Sequence, residues 1–289
     1  IRVRSEGFAL AATITTPVNQ TPPEKGWPAV LLVPGAGGAD RDGTVSGIPV
    51  LGQLAGALAD AGFLVARYDR RGVGQSGGRS ESAGFEAYGD DGRTMVRFLD
   101  RRDDVDEDRI AVLGYAEGGW AAMVIADRER RTDDLVLVGS PGTSGAELVL
   151  EQQQTELERI GSSATESLEK IALQRRIHQA VLDEGDWEGV PRDMRRQADN
   201  AAFRSFLEFD VAEALDRVRQ PTLLMRGSLD QRFGEHHTDH LLEIASARGR
   251  NVSSDLVVLE GLDHLMIERG DVGDAEYLSL ERQSISQQF

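Results

Sequence analysis

The fold of this chain is decided by one short stretch, Gly114-Tyr115-Ala116-Glu117-Gly118-Gly119. Residues 110–113 before it are apolar and β-favouring, and residues 120–126 after it are small, apolar and helix-favouring. The glycines on either side of the centre give room for a sharp turn from strand to helix. Such a turn lifts its central residue above the sheet edge, where a substrate can reach it. That central residue is Ala116, although the pattern calls for a nucleophile such as Ser, Cys or Asp.

Short apolar runs alternate with helical patterns along most of the chain. Runs of this kind suit strands buried on both faces, so the alternation predicts a mostly parallel central sheet with helices on both sides. A strand at 8–15 is expected to belong to an N-terminal hairpin. The other predicted strands are 29–33, 63–68, 110–113, 135–138, 222–225 and 256–259, and the predicted helices are 51–61, 85–101, 118–128 and 235–247.

The alternation stops between residues 145 and 211, which are polar and helix-favouring. Leu173, Ile177 and Val181 recur there at helical spacing. We interpret 145–211 as a helical lid inserted after the sixth strand, with this apolar stripe turned toward the sheet or the pocket. The remaining residues, 1–144 and 212–289, are predicted to form the core domain.

Composition limits the classes of function. A length of 289 residues with 40% hydrophobic and 28% charged residues suits one α/β domain of ordinary size. The net charge of −17 argues against a nucleic-acid partner, whose phosphates it would repel. No apolar run approaches the roughly 18 residues that a membrane span needs. The chain has no cysteine, which excludes disulfides and thiolate chemistry. Compartment and oligomeric state stay open.

Two candidate partners for a nucleophile follow later strands. Asp230 comes just after strand 222–225, and His264 comes just after strand 256–259. Carboxyl ends of parallel strands meet at one edge of a sheet, and the order 116, 230, 264 is the order nucleophile, acid, base of a hydrolytic triad on such a sheet. We therefore predict Ala116, Asp230 and His264 as the catalytic positions. Asp263 is a weaker candidate for the acid, because it would have to fold back to reach the histidine ring.

A glycine-rich turn at 34–38 follows strand 29–33. Glycines let backbone N–H groups approach a substrate carbonyl closely. We predict an oxyanion hole formed by the N–H groups of Ala36, with Gly37 as the alternative, and of Glu117. A phosphate cradle is the competing interpretation, but the turn lacks the Lys-Ser/Thr of a P-loop and the spacing of a dinucleotide fingerprint.

Other polar clusters are interpreted as structural. The acidic run 103–108 is expected to be a solvated loop, because its spacing and missing glycine do not fit a calcium loop. His236 and His240 have an i, i+4 spacing that zinc sites use, but no third ligand is evident, so a solvated helix face is expected. His178 is expected at the surface of the lid, with a position facing the pocket as the alternative. No metal and no cofactor are predicted.

Three segments together resemble the α/β-hydrolase superfamily. They are the 114–119 turn, the 34–43 turn with its Asp40-Arg41-Asp42-Gly43, and Arg67-Tyr68-Asp69-Arg70-Arg71-Gly72-Val73-Gly74-Gln75-Ser76. Within the superfamily the chain is most similar to bacterial serine esterases and peptidase-like hydrolases whose turn reads Gly-His-Ser-Glu-Gly-Gly. The resemblance runs from the N-terminal hairpin to about Tyr277. It implies an α/β-hydrolase fold and a serine hydrolase that cleaves small-molecule esters through an acyl-enzyme, with Asp69 and Arg70 in structural hydrogen bonds.

The chain departs from this pattern at two positions. Tyr115 stands where the pattern has histidine, a tolerable change, whereas Ala116 stands where it has the nucleophilic serine. Three accounts of Ala116 remain open: a Ser-to-Ala replacement in an otherwise intact enzyme, a natural non-catalytic protein that keeps the pocket for a ligand, or another nucleophile such as Ser140 or Ser144. The intact acid and base favour the first account. A peptidase or amidase with the same triad is the alternative to an esterase.

Overall fold

A computed structural model describes residues 1–35, 40–183, 185–249, 252–268 and 284–289. The strands are β1 (Arg2–Arg4), β2 (Ala9–Thr15), β3 (Trp27–Val33), β4 (Thr44–Val45), β5 (Ile48–Pro49), β6 (Leu64–Tyr68), β7 (Val105–Tyr115), β8 (Asp134–Val138), β9 (Thr222–Gly227) and β10 (Ser254–Leu259). The helices are α1 (Val50–Asp60), α2 (Phe85–Asp100), α3 (Gly118–Arg128), α4 (Gly145–Arg159), α5 (Ala164–Leu182), α6 (Arg192–Ala198), α7 (Ala201–Leu207), α8 (Val211–Asp216) and α9 (Glu235–Ala247).

Eight of these strands form one sheet in the order β1-β2-β6-β3-β7-β8-β9-β10, while β4 and β5 form a separate small hairpin. β1 pairs antiparallel with β2, and β2 pairs antiparallel with β6. All the other pairings in the large sheet are parallel. The predicted N-terminal hairpin and mostly parallel sheet are therefore confirmed. The parallel arrangement brings the carboxyl ends of β3, β7, β9 and β10 to one edge.

The centre of the sheet is buried on both faces. Every residue of β3 is buried, which matches its uninterrupted apolar sequence. α3 follows β7 directly and is buried over almost its whole length, from Gly118 to Ala126. This explains why the helix after the turn is built from small and apolar residues. A rigid, buried strand and helix thus fix the turn between them.

The acidic run 103–108 does not form the predicted loop throughout. β7 begins at Val105 and continues to Tyr115, so residues 105–108 of the run belong to the strand. Val105 pairs with Trp27, and the register then shifts before Ala29 pairs with Ile110. This irregularity absorbs the additional acidic residues, and Asp106 is buried. Sequence polarity placed the start of the strand too late, because backbone pairing to β3 extends beyond the apolar residues.

Between β8 and β9 the described residues form five helices, α4 to α8. The orientation of the apolar stripe was predicted wrongly. Ile177 and Val181 pack with Ala198 and Leu207 in a small cluster of their own, and Leu173 lies against that cluster. The stripe of α5, a helix of 19 residues, is therefore buried against neighbouring inserted helices and not against the sheet.

Contact with the core comes from Leu148 of α4, from α8, and from the end of α7 and the residues just after it. The ring of Phe209 stacks on Trp120 of α3 with centroids 4.7 Å apart, and Phe206 lies 5.1 Å from the same ring. The indole N–H of Trp120 donates to the carbonyl of Pro141 at 2.9 Å, just before the chain enters α4. A single buried tryptophan therefore holds both ends of the inserted helices.

The expected position of His178 at the surface of the lid is also wrong. Its side chain is buried between α5 and α7, with its ring 6.2 Å from that of Phe203. No helix among the described residues is long and apolar enough to cross a lipid bilayer.

Candidate active site

Ala116 occupies the sharp turn between β7 and α3. Its φ of 52° lies in the left-handed region, which costs free energy for a residue with a side chain. No other residue type fits at the two flanking glycines. A Cβ at Gly114 would lie 2.5 Å from the Cα of Gly119, and a Cβ at Gly118 would collide with the carbonyl oxygen of Val33. Close packing of the turn against α3 and β3 thus holds position 116 in a strained conformation at the sheet edge.

Asp230 and His264 are brought together by the loops that follow β9 and β10. The His264 Nδ1 lies 2.8 Å from the Asp230 Oδ2. Because an ionised carboxylate only accepts hydrogen bonds, Nδ1 carries the proton and Nε2 is left as the basic nitrogen. The other carboxylate oxygen accepts the backbone N–H groups of Arg232 and Phe233 at 2.9 and 3.0 Å. Asp230 is therefore fixed on both sides.

Gly139, at the end of β8, makes room for this pair. A Cβ there would lie 3.2 Å from the Asp230 Oδ2 and 3.3 Å from the His264 Nδ1, and the φ of 49° is left-handed. The sequence analysis missed this residue, since one glycine after a strand carries no specific signal. Its position shows that the edge of β8 also shapes the site.

Asp263 makes different contacts from Asp230. Its Oδ1 accepts the backbone N–H groups of Leu265 and Ile267 at 2.9 and 3.1 Å. These bonds close the tight loop that carries His264. Asp263 therefore orders the backbone around the histidine, and the carboxylate that meets the imidazole belongs to Asp230.

Tyr115 links the turn to the histidine loop. Its hydroxyl donates to the carbonyl oxygen of His264 at 2.8 Å, and the two rings lie 5.3 Å apart. Burial raises the pKa of Tyr115, so the hydroxyl keeps its proton and remains a donor. Phe233 packs edge to face with the His264 ring, with centroids 5.1 Å apart. The imidazole thus contacts two aromatic side chains.

The glycine-rich turn after β3 approaches position 116. Ala36 and Gly37, the predicted oxyanion donors, lie outside the described residues. Gly35 is described, and a Cβ added to it would lie 3.4 Å from the Cβ of Ala116 and 3.3 Å from the Glu117 Oε2. The start of the glycine-rich turn is thus in close contact with the strand-to-helix turn at 114–119, which we call the elbow.

The Asp69 carboxylate anchors the residues that follow this turn. It accepts the backbone N–H of Arg41 at 2.9 Å, the Arg41 guanidinium at 2.6 Å and the backbone N–H of Gln75 at 2.8 Å. Hydrogen bonds from Arg41 and Gln75 hold the pKa of Asp69 below its ordinary value against the opposing effect of burial. This arrangement agrees with the structural role expected for Asp69.

A cavity of about 370 Å³ opens between α2 and α7, and Ala116, Asp230 and His264 are not among the residues that line it. Four aromatic side chains line it, together with the buried Arg70: Phe85, Tyr88, Phe203 and Phe206. Phe85 also packs against Trp120 at 5.2 Å, one turn beyond Ala116 along the chain. The sequence analysis did not single out α7, although its Ala-Ala-Phe-Arg-Ser-Phe-Leu stretch was the most aromatic part of the insertion.

Glu151, His236 and His237 are the described residues whose ligand atoms lie close enough together to hold a metal ion. The His236 Nε2 lies 2.7 Å from Glu151, and the His237 Nε2 lies 3.3 Å from it. However, the His237 Nδ1 accepts the backbone N–H of Gly142 at 3.1 Å. The neutral ring then carries its proton on Nε2, the atom that would have to bind the metal. Because a protonated Nε2 cannot bind a metal, the donor set fits a histidine–carboxylate contact better than a metal centre.

Two histidines of α9, His237 and His240, bind the chain where the inserted helices begin. While His237 binds the N–H of Gly142, the His240 Nδ1 donates to the carbonyl oxygen of Gly142 at 2.6 Å. His236 and His240 are exposed, as expected, but His237 is completely buried. A single helix, α9, therefore fixes the point at which the chain leaves β8 for α4.

Stability is expected to fall as the pH is lowered below about 6.5. Burial lowers the pKa of His237 and of His178, so the unfolded chain takes up protons that the native protein resists. The contribution of these two histidines to the free energy of unfolding is complete above the pKa that they have in the unfolded chain. It is lost as the pH falls through their lowered pKa in the native protein. Urea unfolding at pH 7.5 and 5.5 checks this. His178→Leu should reduce the difference between the two free energies of unfolding; an unchanged difference would contradict the assignment.

Neither of the alternative nucleophiles is placed like position 116. Ser140 is buried, and its side chain would collide with a Cβ at Gly119. Ser144 caps α4, where its hydroxyl lies 2.8 Å from the Glu147 carboxylate in a reciprocal capping box. Both hydroxyls lie on the β8–α4 connection, and that of Ser144 has a structural role.

The fold and the arrangement at the sheet edge define an α/β-hydrolase. The family model described as serine aminopeptidase, S33, matches residues 42–268, and the chain belongs to that family. Among curated relatives, esterase EstD of Thermotoga maritima is 28% identical over 272 residues, which cover 93% of this chain and 61% of the esterase. An uncharacterised protein of Mycobacterium tuberculosis is 33% identical over 156 residues, 54% of this chain and 50% of that protein. The chain thus spans about half to three fifths of these relatives.

Solved structures show the same fold at low sequence identity. Est1E from Butyrivibrio proteoclasticus, solved with ferulic acid, has a TM-score of 0.59 and 17% identity, covering 92% of this chain and 91% of that one. Proline iminopeptidase of Mycobacterium smegmatis has a TM-score of 0.59 and 16% identity with the same coverage. These similarities concern the fold alone.

Proposed function

We propose that this protein is a carboxylic-ester hydrolase of the serine type, in which Ala116 stands in the place of the nucleophilic serine. The observation that carries the proposal is the 2.8 Å contact between His264 and Asp230 at the same sheet edge as the left-handed turn at 116. A buried carboxylate that orients an imidazole beside such a turn is the arrangement that activates a hydroxyl nucleophile.

In the serine form the hydroxyl oxygen at position 116 attacks the ester carbonyl while the His264 Nε2 takes its proton. The carbonyl becomes a tetrahedral oxyanion, which the N–H groups of Glu117 and Ala36 stabilise. The intermediate collapses by breaking the bond to the alcohol oxygen, which receives the proton from His264. Water then attacks the acyl-enzyme while His264 accepts its proton, and the intermediate collapses by breaking the bond to the serine oxygen, which takes that proton from His264 as the acid is released. Asp230 keeps the imidazole in the required tautomer and stabilises the imidazolium.

Esters are favoured over amides by the similarity to esterase EstD, which extends over 93% of this chain. The S33 family description supports a peptidase as the alternative, since the same triad cleaves both bonds. The inserted helices, proposed as a lid over residues 145–211, would select the substrate by shaping the aromatic cavity between α2 and α7. A lid of this kind also excludes water from the reacting groups.

A Ser-to-Ala replacement is the account of Ala116 that the described residues support best. The acid, its two backbone donors, the histidine and the strained turn are all retained. A binding protein without catalytic function has no requirement for an imidazole oriented by a carboxylate. We infer that a single hydroxyl separates this chain from an active enzyme.

Covalent labelling tests the proposal directly. Ala116→Ser should react with a fluorophosphonate, because an activated serine attacks phosphorus and displaces fluoride, whereas ordinary serines do not. Intact-mass spectrometry should show one adduct per chain, and peptide mapping should place it at position 116. The Ala116 protein is the control and should remain unlabelled. A folded variant that takes up no label would overturn the assignment as a serine hydrolase.

A further inference from the structure

Arg232 contacts two parts of the site that lie far apart in sequence. Its backbone N–H donates to the Asp230 Oδ1 at 2.9 Å, and its guanidinium donates to the Glu117 Oε1, also at 2.9 Å. The other oxygen of Asp230 binds His264. One residue of the β9–α9 loop thus touches both the acid and the residue that follows position 116.

Glu117 depends on this contact. Its side chain is only 8% exposed, whereas that of Arg232 is 45% exposed. A carboxylate removed from water is costly unless a cation or several donors compensate for it, so the ion pair determines where the Glu117 side chain lies. Glu117 already has helical backbone angles, φ −64° and ψ −11°, immediately after the left-handed residue. The side chain that the ion pair holds therefore belongs to the residue whose N–H is part of the peptide between positions 116 and 117.

The ion pair connects structural elements that the sheet joins only indirectly. Glu117 follows β7 and Arg232 follows β9, and β8 lies between these two strands. On the other side, Tyr115 makes a comparable connection from the elbow to the His264 carbonyl. Of the two residues that flank position 116, Tyr115 is bonded to the loop that carries the base, and Glu117 is bonded to the loop that carries the acid.

We propose that Arg232 is a positioning residue that keeps the backbone N–H of Glu117 in register with the Asp230–His264 pair. This inference rests on the proposed function, in which that N–H stabilises the oxyanion. An N–H donor contributes in proportion to its alignment with the charge that develops in the transition state. The ester in the ground state gains little from the same alignment. Arg232 should therefore affect turnover far more than substrate binding.

Kinetics in the Ala116→Ser background test the proposal. Arg232→Gln should lower kcat about 10- to 100-fold, the scale of a displacement of about 1 Å, and should leave KM within about two-fold. Arg232→Lys should recover part of the loss, because an ammonium can still meet Glu117 but not with the geometry of a guanidinium. If the two side chains act as one unit, Arg232→Gln should have little further effect on kcat once Glu117→Gln is present.

Arg217→Gln is the matched control. The Arg217 side chain is 44% exposed and pairs with Glu213 at 2.6 Å and with Asp127 at 3.3 Å. The substitution removes the same charge from an ion-paired arginine of similar exposure outside the site, and kcat should be unchanged. A comparable loss in Arg217→Gln would show that net charge or general stability explains the effect, and would overturn the proposal.

Binding by the Ala116 chain separates positioning from substrate recognition. Calorimetry with intact p-nitrophenyl acetate should give the same affinity with and without Arg232→Gln. Loss of affinity as large as the loss in kcat would overturn the proposal in favour of a substrate-binding role. Parental kcat for Arg232→Gln in an active Ala116→Ser enzyme overturns this inference alone. An Ala116→Ser enzyme without activity overturns the proposed function and this inference with it.

Discussion

Ala116→Ser is expected to raise the hydrolysis of p-nitrophenyl acetate by about a million-fold, because removal of a triad nucleophile costs about that factor in turnover. The expectation follows from the geometry at the site, where His264 is already oriented by Asp230 and position 116 is already held at a φ of 52°. Replacing Ala116 with serine adds a single oxygen atom to this geometry. The release of p-nitrophenolate, followed spectrophotometrically with the Ala116 protein as background, measures the change.

The same assay separates the classes of function that the fold permits. A burst of p-nitrophenolate equal to the enzyme concentration would identify the acyl-enzyme. Parallel measurement with the corresponding p-nitroanilide shows whether the site prefers esters to amides. If Ala116→Ser folds like the parent but stays at background, the hydrolase proposal fails and a ligand-binding protein becomes the better account.

Loss of the base in the Ala116→Ser enzyme is expected to be almost as severe as loss of the nucleophile. His264→Ala should lower kcat by about a million-fold, because the members of a triad act as one unit. Asp230→Asn should lower kcat by about ten thousand-fold, because the amide still packs beside the ring but favours the wrong tautomer. Steady-state kinetics on the same ester measures both effects.

Asp263→Asn provides the comparison for the acid. The Asp263 Oδ1 binds backbone N–H groups of the histidine loop, and an amide oxygen can retain those bonds. Its effect on kcat should therefore be much smaller than that of Asp230→Asn. A larger effect for Asp263 would show that the acid has been assigned to the wrong residue.

The connections around Gly142 give the inserted helices a defined attachment. His237 and His240 bind the N–H and the carbonyl of this one residue, and Trp120 binds the carbonyl of Pro141. Rearrangement of the inserted helices on substrate binding would have to keep or break these three bonds. The junction is therefore expected to act as the fixed end of any such motion.

Several features of the protein could be predicted from its sequence because they are recorded locally. The apolar runs predict the strands. The glycines at 114 and 118 predict a turn that is too tight for a Cβ at either of these two positions. The chain order of positions 116, 230 and 264 predicts a shared sheet edge, since parallel strands place their carboxyl ends together. The meeting of Asp230 with His264 follows from this topology and needs no detail of packing.

Other features were decided by the tertiary structure, because they depend on how loops from distant parts of the chain meet. Arg232 reaches Glu117 across 115 positions of sequence, and nothing in either neighbourhood predicts that contact. The stripe of Ile177 and Val181 correctly indicated a helix, but periodicity does not say which partner a helix face will choose. Phe206 and Phe209 meet Trp120 across more than 80 positions of sequence, and local patterning does not predict that contact. Local sequence determined the turn and the order of the reacting groups, whereas packing between distant segments determined what surrounds them.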